Sequence, residues 1–390
     1  MDFLFYDILI CIIFFITVII FLRKNKKNVS KEGIFFLYRS KFGIKKIDYL
    51  VKKYPKFFHF IEKINITVGF IGMVVILYLL AMSSYKIAAM TQVIKTPPLV
   101  PLLPWISFPG MPTLYFTIWI IMISIIAVVH EGAHGVFSRL NKIKLKSTGF
   151  GFLGPIILAF VEPDEKQLVK KSPKVQLSVF SAGPAANFML AGIFFIIISL
   201  AINPIYTSAL QDVNLKAASI VPNSSAYIAG IEKNDIITIK DVEKTSDIGA
   251  YIKNITVFFI ELKPNQTVNI RIENKNKETS LITSANPKNE SKGYTGIEEI
   301  EIMPKFSGIA KIMPFISALF FWIFIANLFV GLFNLLPFWV VDGGRMFYAA
   351  AFAITRSKKN AMKTMKRATA FTLFLIFLMF LVWAIRMLFG

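Results

Sequence analysis

Ile125-Ile-Ala-Val-Val-His130-Glu131-Gly132-Ala133-His134 lies in an apolar run that spans residues 112–140. Two imidazoles four residues apart share one face of a helix, so both can reach one ion while Glu131 projects beside them. The chain has only three histidines. Chance placement of such a pentad is expected roughly 0.0008 times in a chain of this composition. The bland alternative is an interfacial pair of hydrogen-bonded histidines beside a snorkelling glutamate. Ionisable residues in a membrane-length apolar segment are costly, and they default to function.

Outward from this run, the chain reads as an integral membrane protein. Of its 390 residues 55% are hydrophobic and 17% charged, against about 25% charged in a usual soluble chain. Apolar runs at 3–22, 64–85, 112–140, 176–202, 312–336 and 368–388 are each long enough to span a bilayer as a helix. The first is too long for a signal-peptide core and has no small-residue cleavage site behind it, so it is expected to be retained. The single cysteine, Cys11, excludes a disulfide framework or a Cys-rich metal site within one chain.

Charge orients the spans. Lys+Arg number 44 against 23 Asp+Glu, a net +21, and the excess gathers in 23–63, 139–175 and 356–367. Six spans put those three segments on one side, which the positive-inside rule makes cytoplasmic. Both termini, the Pro-rich connection 86–111 and residues 203–305 then lie outside. The basic loops fix topology and touch anionic lipid; nothing in their pattern suggests nucleic acid. The 39 phenylalanines read as lipid-facing packing.

Two segments are not spans. Residues 203–305 balance acids with bases and alternate polar and apolar residues, as in Asp235-Ile-Ile-Thr-Ile-Lys and Thr267-Val-Asn-Ile-Arg-Ile. That period predicts half-buried strands and a small soluble β-rich module. Residues 148–161, with Gly154-Pro155 at their centre, are too short to cross as a helix. They predict a re-entrant β-hairpin on the cytoplasmic side, tolerated where protein covers it or water reaches it.

Catalytic zinc takes three protein ligands, and no third ligand follows His134 locally. His59 sits among Lys, Tyr and Phe and reads as a surface residue. Asp342, in Asn334-Leu-Leu-Pro-Phe-Trp-Val-Val-Asp342-Gly-Gly-Arg345, is the one acid after Lys305, and the topology brings it to the side of His134. Pro337 and the Gly343-Gly344 pair are expected to break the helix and turn Asp342 toward the site. The plainer reading of Asp342 is a helix cap or an acid paired with Arg345. Glu162, Asp164 and Glu165 compete as ligands, although their polar loop reads as a solvated turn.

HEGAH at the end of one span, Ser181-Ala-Gly-Pro-Ala-Ala-Asn187-Phe188 in the next, and Asn334-Leu-Leu-Pro with Asp342-Gly-Gly near a third resemble the site-2 protease family of intramembrane zinc metalloproteases. The resemblance covers 112–202 and 310–350, with the motifs in the family's order. It implies that His130, His134 and Asp342 hold one zinc ion per chain, that Glu131 is the catalytic base, and that Asn187 and Asn334 steady the substrate backbone. Trp339 stands in the region where many members carry a second proline, which leaves the local loop shape open. Asn223-Ser-Ser-Ala-Tyr-Ile-Ala-Gly-Ile-Glu-Lys-Asn234-Asp235-Ile-Ile is similar to a stretch of PDZ domains, with Asn234 where glycine is usual. Asparagine is the residue that best replaces glycine in a left-handed conformation.

The expected architecture is a polytopic α-helical membrane protein of about six transmembrane helices, with a short re-entrant β-hairpin and an inserted β-rich, PDZ-like domain. Its parts are a two-span region (1–111), a catalytic core in two pieces (112–202 and 306–355), the extracytoplasmic domain (203–305), and a basic loop with the last span (356–390). The expected activity is hydrolysis of peptide bonds within or beside transmembrane segments of other proteins. A chain terminus is a possible ligand of the PDZ-like domain. The Lys-, Ile- and Asn-rich composition suits a prokaryotic plasma membrane, with the active site toward the cytoplasm. A metal transporter using the same cluster is a rival, but no second copy of the motif accompanies it as in repeat-built transporters. A proteolytically dead scaffold would be expected to have lost Glu131 or a ligand, and all are present.

Overall fold

Where water is scarce a backbone can satisfy itself only within a helix or a closed sheet, and the apolar runs of this chain take the first course. The computed structural model describes residues 3–33, 35–89, 97–106, 111–153, 156–210, 212–245, 248–287, 289–305 and 308–389. Six helices among the described residues are long and apolar enough to cross a membrane.

In chain order, α1 (Phe3–Lys24) leads to strands β1 (Val29–Glu32) and β2 (Phe35–Ser40), then to α2 (Ile44–Lys53), α3 (Pro55–Ala89) and α4 (Phe116–Leu140). Strands β3 (Leu145–Leu153) and β4 (Ile156–Pro163) precede the single turn α5 (Glu165–Leu168) and the long α6 (Pro173–Ile197). A π-helical turn, Ile198–Ile202, and α7 (Asn203–Ala209) open a mixed segment. It contains β5 (Asp212–Ile220), α8 (Ser225–Ile228), β6 (Ile236–Ile239), α9 (Ile248–Glu261), β7 (Thr267–Ile272) and β8 (Lys277–Ile282). Strands β9 (Ser284–Asn286), β10 (Asn289–Tyr294) and β11 (Ile297–Lys305) complete it, and α10 (Met313–Asn334), α11 (Asp342–Thr355) and α12 (Lys358–Phe389) end the chain. The chain splits into two compact units, Met1–Ile198 with Ala318–Gly390, and Ser199–Ser317.

Two segments expected to be loops are built instead. The basic stretch 23–63 contains a β-hairpin, with β1 antiparallel to β2 and Val29 opposite Tyr38. Its turn holds Gly33 at φ 60°, which a glycine adopts without penalty. The basic stretch before the last span is helical from Lys358, because Lys, Met, Arg and Ala are all good helix formers. Hydropathy finds only the apolar part of such a helix.

Strand β2 pairs with β3, and β3 with β4, giving a four-stranded antiparallel sheet in the order β1-β2-β3-β4. Strand β4 is therefore an edge. The turn that Gly154 and Pro155 are expected to form lies outside the described residues. In the other unit, β11-β5-β6-β7-β8 make a five-stranded sheet whose buried residues alternate: Val213, Leu215 and Ala217; Ile237 and Ile239; Val268, Ile270 and Ile272. Asn234 has φ 75°, in the left-handed region. Burial pushes the neighbouring Asp235 carboxyl up, yet hydrogen bonds from the Glu232 N–H, Asn274 and Lys275 outweigh it and hold the pKa below the usual value.

One buried charge organises the start of α4. Asp7, in the first turns of α1, is wholly buried. Its carboxylate accepts from the Phe116 N–H (2.7 Å), the Thr117 N–H (2.8 Å), the Thr117 hydroxyl (2.6 Å) and the Trp105 indole (2.8 Å). Tyr115, which precedes the helix, makes no side-chain cap, so a neighbouring helix supplies the acceptor that helix N-termini require. Asp7→Leu strands these donors, at about 1–3 kcal/mol for each one left unpaired. Thermal unfolding of the purified protein in lipid nanodiscs should show the loss, and an unchanged melting temperature would count against the capping role.

Candidate metal centre

The HEGAH pentad occupies the last turns of α4, where His130 and His134 are both buried. The helix ends soon after, and Val136, Phe137 and Leu140 pack with Ile143, Leu168, Val179 and Ala182 into one apolar cluster. That cluster clamps α4 to α6, and both imidazoles lie against α6 at Gly183.

The third donor comes from the far end of the sequence. Helix α10 stops at Asn334, and a tight stretch carries the chain to Asp342, the first residue of α11. Its backbone turns are closed by Leu336 N–H to Phe333 O (3.2 Å), Phe338 N–H to Leu336 O (2.6 Å) and Val341 N–H to Phe338 O (3.1 Å). The break falls around Pro337, as the sequence suggests, but the glycine pair does different work. Gly343 and Gly344 belong to the first turn of α11, not to the break. A Cβ on Gly343 would overlap the Leu335 and Leu336 carbonyls, and one on Gly344 the Phe338 carbonyl. The pair lets α11 start directly against the turn, and this fixes where Asp342 points. Trp339 packs edge-on against Tyr348.

Three donor atoms meet there. His130 Nε2 and His134 Nε2 are each 3.2 Å from Asp342 Oδ2 and 3.2 Å from one another. Among the described residues, this is a group of His, Cys, Asp or Glu side chains close enough to hold a metal ion. The triangle is a direct test of fit. Zinc bonds of about 2.0–2.1 Å in a tetrahedron separate neighbouring donors by about 3.3 Å. Two aromatic nitrogens and a carboxylate oxygen at that spacing match three corners.

Two further contacts set the ligands' chemistry. His134 Nδ1 lies 2.7 Å from the Val179 carbonyl of α6; the carbonyl accepts the ring proton, which leaves the Nε2 lone pair facing the cluster. On the same helix one turn later, Gly183 passes beneath both rings. A Cβ there would come within 2.5 Å of His134 Nε2 and 2.6 Å of His130 Nε2, a space only hydrogen leaves open.

Glu131 turns aside from the triangle. Its Oε2 accepts the Val161 N–H of β4 at 3.0 Å, so the edge strand and the pentad are joined. Around them lies a cavity of about 530 Å³, whose wall includes Glu131, Phe160, Val161, Asn334, Asp342 and Arg345. Asn334 donates Nδ2 to the Val330 carbonyl at 2.9 Å and so sits at the cavity with one end tied to its own helix. Asn187 is placed otherwise: it is wholly buried, and its Nδ2 lies 3.0 Å from His130 Nδ1.

Of the competing acids, Glu162 and Glu165 line the same cavity but stand outside the three-donor group, as does Asp164. Glu162 accepts from Ser147 (2.6 Å) and pairs with Arg39 (3.5 Å), while Asp164 caps α5 through the Gln167 N–H. His59 is largely exposed beside Glu62. Arg345 lies over the Phe180 ring at 5.7 Å instead of neutralising Asp342. The sequence reading missed Val179, Gly183 and Val161 as parts of the site. Gly183 left a trace, since it belongs to the Gly-Pro-x-x-Asn element, but only packing reveals what it touches.

Residues 118–381 match peptidase family M50. The chain is also 29% identical over 354 residues to an uncharacterized protein of Methanocaldococcus jannaschii, an alignment covering 88% of this chain and 85% of that one.

Gly183→Ala should displace the imidazoles. The expected result is a protein that folds with an unchanged helical circular dichroism spectrum but loses at least tenfold in zinc affinity, measured by competition with a chromophoric chelator. Full affinity in that variant would show that the helix can retreat from the rings.

Proposed function

The chain belongs to peptidase family M50, and on that premise we propose that it is a zinc-dependent intramembrane endopeptidase that cuts within or beside the transmembrane segments of other membrane proteins. The observation that carries this is the 3.2 Å triangle of His130, His134 and Asp342 donors with the Glu131 carboxylate beside it. The family supports an intramembrane metalloprotease; substrate and detailed mechanism are our reading.

His130, His134 and Asp342 would hold one zinc ion per chain. When bound, zinc supplies a Lewis acid that polarises a carbonyl and acidifies water. Glu131 serves as general base and then as acid: it takes a proton from the attacking water and returns it to the leaving amine. The Val161 N–H holds that carboxylate between the edge strand and the histidines. Asn334 offers an amide at the cavity wall to a peptide whose own hydrogen bonds have been opened.

A substrate helix must unwind before it can be cut, and its freed backbone groups need partners. We read β3 and β4 as a re-entrant hairpin whose free edge receives the unwound segment by strand addition. The Val161 N–H points away from β3, toward Glu131, so by the period of two the Ala159 N–H also faces the open edge. We read residues 203–305, which lie within the Ser199–Ser317 unit, as PDZ-like. Asn234 at φ 75° followed by strand β6 supports this, and a chain terminus of the substrate is its proposed ligand. By the positive-inside rule the catalytic end of α4 faces the cytoplasm and this unit the outside of a prokaryotic cell membrane.

Two experiments bear on these claims. Purified protein should cleave a transmembrane reporter, and a chelator should stop it. Glu131→Gln should lower the rate by roughly 10²–10⁴-fold with zinc content retained. Metal flux through proteoliposomes that survives this substitution, with no cleavage by the wild type, would favour a transporter. Ala159→Pro removes one outward donor from the edge strand. It should impair cleavage of the transmembrane reporter far more than zinc binding, and equal loss of both would count against strand addition.

A further inference from the structure

Asn187 sits on α6 one turn beyond Gly183, so it continues the helix face that runs beneath the two imidazoles. It is wholly buried, and the cavity wall, among the described residues, does not include it. Its Nδ2 is 3.0 Å from His130 Nδ1, and its Oδ1 is buried without a hydrogen-bond partner. A residue that steadies a peptide backbone has to meet the peptide. One sealed behind a ligand meets only the ligand.

We propose that Asn187 is a positioning residue of the metal centre, whose amide oxygen accepts the Nδ1 proton of His130 and so leaves Nε2 free for the metal. The proposal rests on the reading of His130 as a ligand. A neutral imidazole carries one proton. With Nε2 committed to a cation the proton resides on Nδ1, and in a buried site it needs an acceptor. His134 has the Val179 carbonyl for this purpose at 2.7 Å. For His130 the group at hydrogen-bond distance of Nδ1 is the Asn187 amide. A half-turn of that amide exchanges its oxygen and nitrogen, which are nearly the same size. The stranded Oδ1 then takes the Nδ1 proton.

The amide suits both tautomers. With the proton on Nε2, the ring donates to Asp342 Oδ2, 3.2 Å away, and Nδ1 accepts from Asn187 Nδ2. With the proton on Nδ1, Oδ1 is the acceptor. Aspartate at this position can only accept, and leucine can do neither. The two substitutions therefore separate orientation of the ring from simple filling of the space.

The test is metal affinity of full-length protein in detergent, read by chelator competition and by the visible spectrum of the cobalt-substituted form. Asn187→Leu should weaken zinc by about 10–100-fold, the usual effect of removing a partner of a metal-bound histidine. Asn187→Asp should bind zinc at least as tightly as the wild type and keep the tetrahedral cobalt spectrum. Unchanged affinity in Asn187→Leu with a raised KM for the reporter would overturn the proposal and return the residue to substrate binding. Should the leucine variant fail to fold, a tenfold loss of affinity in Asn187→Asp would overturn it equally. Wild-type protein that takes up no metal would sink the metal-centre reading itself, and this inference with it.

Discussion

A divalent ion of zinc's size demands its donors within about 3.3 Å of one another, and the rest of this site follows from meeting that demand between residues 208 or more positions apart. Side chains on separate helices approach so closely only if the backbones behind them do. Gly183 removes the one side chain that would stand beneath the rings, and Gly343 with Gly344 lets α11 begin against the turn that precedes it. The apolar cluster of α4 and α6 then prevents the seam from opening. Far from the metal, Asp7 anchors the opposite end of α4, and this limits how far the helix can slide along its axis. Small errors in any of these would be felt at the triangle, because tetrahedral bonds tolerate only tenths of an ångström.

Placing polar groups in such a setting costs stability unless each is partnered. Asp342 faces two imidazoles, His134 gives its second nitrogen to Val179, and Glu131 takes a strand N–H. Each partner is backbone or another member of the cluster. That arrangement leaves little rotational freedom to lose when a substrate arrives, which is what preorganised chemistry requires.

The parts legible in the sequence were those with a local period. HEGAH places two rings on one helix face, apolar runs mark spans, and the alternation in Thr267–Ile272 marks a strand. Asp342 was legible for a different reason: few acids remain once the topology confines the search. The hairpin of β1 and β2 went unread because Lys31, Glu32 and Arg39 mask its short apolar stretch. Its register depends on β3, more than a hundred residues later. Asp7 was passed over inside an apolar run, since its partners lie at Phe116 and Thr117. Contacts of that kind have no signature along the chain. Asn187 was found by motif, but its burial against His130 is a property of packing alone.

One further constraint links the sheet to the chemistry. A strand edge has a row of bare N–H and C=O groups, which lipid cannot accommodate. Hydrolysis needs water, which lipid does not provide. Both requirements are met by the same feature, a cavity of about 530 Å³ that touches β4 on one side and the His–His–Asp group on the other. A helix in place of β4 would satisfy its own backbone and give an arriving peptide nothing to pair with. An edge strand lining a cavity wide enough for water costs little, because water can occupy its free groups. On the proposed reading an extended peptide would exchange its own hydrogen bonds for that water, so strand addition would offset part of the cost of unwinding a substrate helix. In the proposed mechanism the sheet beside the His–His–Asp group would make a buried peptide bond accessible, and the cavity gives its edge strand room for water.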